Sequence, residues 1–117
     1  MSPGGTDDPG FLAAYTEFRD HPFPGYPKSL KFIDAGFELL RLDTHIAGIA
    51  VSVFKGRTRA RDVPELGDLA EDLARLDGLL DSVTVENDQD AVTVSEFRDY
   101  GRLLARLVRE LRKAAAG

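Results

Sequence analysis

The feature that most constrains this chain is an apolar rhythm that runs from residue 32 to residue 53. Phe32, Ala35, Leu39, Leu42, Ile46, Ile49 and Val53 recur at alternating steps of three and four. That spacing puts all seven side chains on one face of an α-helix, whereas a strand would alternate faces at every residue. A second stripe, Ile33, Phe37, Leu40, Ala47, Val51 and Phe54, lies beside the first, and Lys31, Asp34, Glu38, Arg41, His45, Ser52 and Lys55 make up the polar remainder. A helix over 28–55 with so broad an apolar arc must be almost surrounded by neighbours. The competing reading breaks it near Thr44 and makes 46–54 a β-strand, because β-branched residues cluster there.

The other segments supply those neighbours. Residues 1–7 read as a disordered tail, leaving 8–117 as a single domain. Asp8 before Pro9 has the form of a helix cap, and Phe11, Tyr15 and Phe18 continue at helical spacing to about residue 20. Three prolines in 21–27 rule out helix or central strand there, so that stretch is a connector. Gly56 stops the long helix. Asp62, with Val63 and Pro64 after it, is expected to open a third helix, along which Leu66, Leu69, Leu73, Leu76, Leu80 and Val83 form a narrow seam. Thr93 to Glu96 has the pattern of a capping box for a fourth helix bearing Phe97, Tyr100, Leu104, Leu107 and Leu111. Between these two helices, paired Val-Thr-Val segments around a polar turn leave a short β-hairpin near 82–94 as an option. The expected fold is all-α: an antiparallel helical bundle of one short and three long helices.

Composition narrows the chemistry. The chain has no cysteine, which excludes disulfides, thiol catalysis and thiolate metal centres. No apolar run reaches the roughly 18 residues that span a bilayer, and the first ten residues lack the pattern of a signal peptide, so a cytoplasmic location is expected and no membrane partner. The net charge of −5 is unevenly spread. Residues 62–96 hold eleven acidic side chains against Arg75 alone, a net of −10, while residues 97–117 carry a net of +4. The acidic third helix and basic fourth helix should therefore be neighbours with complementary flanks.

Asp43 is the most informative single position, because it falls inside the apolar arc of the long helix. A buried carboxylate must be paired, hydrogen-bonded or protonated. An arginine of the fourth helix, the hydroxyl of Tyr15, Tyr26 or Tyr100, or backbone donors of the connector could serve. Its first reading is a structural anchor, and a small-molecule or ion-binding bundle built on Asp43 and a tyrosine is the alternative function. Residues 86–96 resemble the second half of a calcium loop, but Val85 stands where a carboxylate is needed and Asp90 where glycine is needed. His21 and His45 lie in different elements at no metal-ligand spacing, and no metal or cofactor is expected. Lys55, Arg57, Arg59 and Arg61 form a basic patch that invites nucleic acid, a third reading. The adjacent acidic block argues against that partner, since internal neutralisation explains the patch more simply. No nucleophile–base set or phosphate loop appears, so the chain does not read as an enzyme. The long helix has more apolar surface than a short first helix can cover. Phe32, Phe37, Leu40, Ile46 and Phe54 are the candidate interaction surface of a protein-interaction or regulatory module, with a homodimer as the simplest assembly.

Overall fold

The computed structural model describes residues 8–25 and 29–116. The Asp8 carboxylate accepts hydrogen bonds from the N–H groups of Gly10 and Phe11 at 2.9 and 3.2 Å, capping α1 (Pro9–Asp20) as its sequence predicts. A 3₁₀ turn at Leu30–Phe32 leads into α2 (Ile33–Phe54), which is helical throughout the 46–54 segment where a strand competed. Gly56 ends α2 with a positive φ of 73°. Its N–H bonds to the Val53 carbonyl and that of Arg57 to the Ser52 carbonyl, the paired closure that favours glycine at this position. A 3₁₀ turn at Ala60–Asp62 precedes α3 (Leu66–Asp81), and α4 (Asp88–Ala116) completes the chain. Residues 1–7 and Tyr26, on which a tail and a hydroxyl donor were placed, lie outside the described residues.

The fold is an all-α bundle, and among the described residues there is no strand. Three boundaries differ from expectation, the first being the start of α2 at Ile33, after a 3₁₀ turn, where a helix from residue 28 was expected. Asp62 closes a 3₁₀ turn instead of capping α3, which begins four residues later. Residues 88–94 are helix instead of hairpin, because Asn87 caps α4 well upstream of Thr93: its side-chain oxygen accepts the Asp90 N–H at 2.8 Å. Asp88 and Asp90 in the first turn suit the positive end of the helix dipole.

α4 is the central element, and α1, α2 and α3 all pack on it. Lys31 meets Asp90, Phe32 meets Phe97 and Asp43 meets Tyr100, so α2 runs in the same direction as α4. Arg106 pairs with Glu17 and Phe18 lies against Tyr100, and Arg98 pairs with Asp81 while Leu76 approaches Gly101, so α1 and α3 run the opposite way. The first apolar stripe of α2 fills the core: Phe32, Leu39, Leu42 and Ile46 are fully buried with Leu104, Leu107 and Leu111 of α4 and Leu76 of α3. The second stripe is covered only in part. Twelve residues of helix span about 18 Å against about 33 Å for the twenty-two of α2. α1 therefore reaches Phe54, on which Tyr15 stacks at 4.6 Å between ring centres, but stops short of the other end.

Candidate functional site

Where α1 ends, a groove opens between the connector and the first half of α2. Phe23, Pro24 and Gly25 form one wall and Leu30, Ile33, Phe37 and Leu40 the other, with Phe97 among the lining residues. The groove encloses about 280 Å³ and its lining among the described residues is almost wholly apolar, Ser29 being the one described side chain there with a hydroxyl. Leu30 is 82% exposed and Phe37 59%, and Phe23, Ile33 and Leu40 each show roughly two-fifths of their surface. Among charges beside the stripe, Lys31 and Arg41 balance Asp34 and Glu38. Arg41 pairs with Glu38 on its own helix and with Asp72 of α3 at 3.1 Å, and Glu38 is held below the usual carboxylate range by that guanidinium.

Of the five residues expected to form an interaction surface, the structure brings only Phe37 and Leu40 to this groove. Phe32 and Ile46 are core residues at 0% exposure, a correction with a simple cause: they belong to the stripe facing α4. Phe54 is half-buried beneath Tyr15. Phe23, Leu30 and Ile33 take their places. Leu30 and Ile33 extend the spacing 33, 37, 40 backwards and were legible as such, whereas Phe23 depends on the path of the connector.

Asp43 finds its partner across the bundle. The Tyr100 hydroxyl donates to Asp43 Oδ1 at 2.5 Å. Tyr100 is 3% exposed, enclosed by the rings of Phe18, His21 and Phe23 at 6.1, 5.8 and 5.1 Å. Burial and the neighbouring carboxylate push its phenol well above the ordinary tyrosine range. Tyr15 lies in a different stack, between Phe11 and Phe54. Asp43 lines neither the apolar groove nor the grooves along α4, so a carboxylate satisfied by a buried phenol describes it.

A second polar site was not visible in the sequence. Asp90 is 2% exposed, and its Oδ2 accepts the Lys31 ammonium at 2.6 Å and the Glu86 N–H at 3.0 Å. Lys31 also donates to the Thr84 carbonyl at 3.1 Å and approaches Glu86 at 3.2 Å. This is the stretch compared above with half a calcium loop, and its buried carboxylate is engaged by a lysine and a helix start instead. Lys31 holds Asp90 below the usual carboxylate range, and Asp90 raises Lys31 above its ordinary value. A depressed carboxylate stabilises the fold above its unfolded pKa of about 4 and loses that contribution as pH falls through the folded value. We expect Lys31→Ala to raise the folded pKa of Asp90, so that acid unfolding followed by circular dichroism at 222 nm begins at higher pH. An unchanged acid midpoint would show that the pair does not hold α4 to α2.

The basic patch is arranged differently from the basic face of α4. Lys55, Arg57, Arg59 and Arg61 are all exposed. On α4, Arg98 binds Asp77 and Asp81, Arg102 binds Asp99, Arg106 binds Glu17, and Arg109 and Lys113 approach Glu110. Complementary flanks of α3 and α4 thus meet through Arg98. On the other side of the bundle, His45 and Glu65 join α2 to the start of α3 at 3.0 Å, which lowers the Glu65 carboxyl.

Comparison with family models, curated proteins and solved structures finds no match to this chain. No described helix is long and apolar enough to cross a membrane.

Proposed function

We propose that the chain is a non-enzymatic interaction module that docks a second copy of itself over the groove beside α2. The observation that carries this reading is the exposed stripe Leu30, Ile33, Phe37 and Leu40, contiguous with Phe23 over an apolar floor. Its 3-4-3 spacing is that of a helix–helix seam. A two-fold axis across such a stripe gives each copy the helix that the short α1 does not supply, and closed symmetry then ends the assembly at two. The chain's net charge of −5 would oppose self-association, but the described charges flanking this stripe are two of each sign, so they add no net repulsion. Contiguous exposed apolar surface rimmed by polar residues is the usual mark of such a contact.

Sedimentation velocity at tens of micromolar tests the proposal. The unaltered protein should run as a dimer. Phe37→Asp, at a position already largely exposed, should keep the helical spectrum and weaken association on the order of 100-fold, the scale of a central contact residue. A monomeric unaltered protein, or a dimer indifferent to Phe37→Asp, would overturn it.

A further inference from the structure

The acidic block was expected to neutralise the basic patch, yet none of its carboxylates pairs with the patch, and several are engaged elsewhere. Asp72 pairs with Arg41 and Arg75, Asp77 and Asp81 with Arg98, and Glu86 and Asp90 with Lys31. Lys55, Arg57, Arg59 and Arg61 make no ion pair or side-chain hydrogen bond among the described residues, and neither does Arg112 near the end of α4. Every other described lysine or arginine has an acidic partner within 4 Å. The unpaired cations are therefore gathered at one end of the molecule, where α2 finishes and the 3₁₀ turn at Ala60–Asp62 packs on α4.

The loop that carries them is held in place. The Gly56 N–H donates to the Val53 carbonyl and the Arg57 N–H to the Ser52 carbonyl, and the Thr58 N–H also donates to the Ser52 carbonyl at 3.3 Å. Ala60 is buried at 2% exposure, anchoring the far side of the loop between exposed Arg59 and Arg61. A loop tied at both ends presents its guanidinium groups with less ordering to be done on binding than a free arm would need.

We propose that this loop is a sequence-independent binding site for the phosphate backbone of a nucleic-acid duplex. Guanidinium forks match phosphate oxygens in geometry, and Arg supplies three of the four cations. No aromatic residue lies between Lys55 and Arg61 on which an unpaired base could stack, which favours a duplex backbone over a single strand. Among the described residues the large exposed apolar side chains are Phe23, Leu30, Ile33, Phe37, Leu40, Leu79, Val85 and Val92, none of them in the loop, so a lipid surface would find nothing in the loop to insert. Arg57, Arg59 and Arg61 with Lys55 make four phosphate contacts at most, a modest number for a chain of net charge −5. Binding is accordingly weak and governed by salt.

The experiment uses the full chain and a fluorescein-labelled 20-base-pair DNA duplex of arbitrary sequence, read by anisotropy. Four contacts imply a slope of about −3.6 in log K against log salt, a loss on the order of 100-fold between 50 and 200 mM. The Arg57→Ala/Arg59→Ala double variant should lower affinity at 50 mM salt at least tenfold and flatten the slope by about 2. Arg102→Ala, which removes a cation already paired with Asp99, should change neither. No binding at 100 μM protein and 50 mM salt overturns the proposal, as does binding that the double variant leaves intact. Vesicles of phosphatidylserine and phosphatidylcholine form the second arm, and binding to them in preference to the duplex overturns it in favour of a lipid headgroup.

Discussion

Truncating Phe32 to alanine should destabilise the protein by about 3–5 kcal/mol, whereas the same change at Phe37, five residues on, should stay within about 1 kcal/mol. The two residues are chemically identical and both lie in apolar stripes at the start of the long helix. Phe32 is 0% exposed and meets Phe97 edge-on at 6.3 Å, so its loss leaves a cavity between α2 and α4 that the surrounding helices cannot fully close. Phe37 lies on the solvent side of the groove, and its truncation removes surface already in contact with water. Urea unfolding of the two variants in the same buffer, at a concentration low enough to dissociate a dimer, separates them. For a chain of this length the Phe32 variant should also melt more than about 10 °C lower. Equal tolerance at both positions would mean that α2 is rotated about its axis from the arrangement described here.

That contrast also marks what the sequence could and could not specify. The 3-4-3-4 rhythm was enough to make 33–54 one helix and to overrule the β-branched cluster at 46–54, because seven apolar residues on one face outweigh a local propensity. It did not say which of two adjacent stripes would meet α4. The answer depends on α1, whose twelve residues reach Phe54 but leave Ile33, Phe37 and Leu40 exposed. The start of α4 was misread for a related reason. Positions 90, 93, 97, 100, 104 and 107 all face inward, but Asp90 and Thr93 hold the first two, and an apolar pattern appears to the eye only from Phe97 onward. Thr93 returns a hydrogen bond to the Gln89 carbonyl at 3.0 Å, and Asp90 relies on a lysine 59 residues away. A buried polar residue is legible only when its partner is, and the partner of Asp90 lies far away in the chain. Asp43 was different: its place inside the apolar arc already required a donor, and Tyr100 was among those proposed.

Tyr100→Phe should cost about 1–3 kcal/mol, since it leaves a partly buried carboxylate oxygen without its donor. The change keeps the ring, and with it the contacts to Phe18, His21 and Phe23, so the loss reports the hydroxyl alone. Asp43→Asn retains an acceptor at the same place and should cost less. Pairing Tyr100→Phe with Asp43→Leu should recover part of the loss, because the cost lies in the orphaned acceptor and not in the missing bond itself. Alkaline titration provides an independent reading. A phenol whose folded pKa is raised contributes stability that is complete below the unfolded value of about 10 and declines as pH rises through the folded value. Stability of the unaltered protein should therefore fall above about pH 10, and the decline should shrink in Tyr100→Phe. Absorbance at 295 nm should show Tyr100 ionising only as the helical signal disappears. If Tyr100 ionised early with the fold intact, water would have to reach its hydroxyl through the aromatic enclosure. Asp43 would then be open to a ligand, and the binding-pocket reading of this residue would replace the structural one.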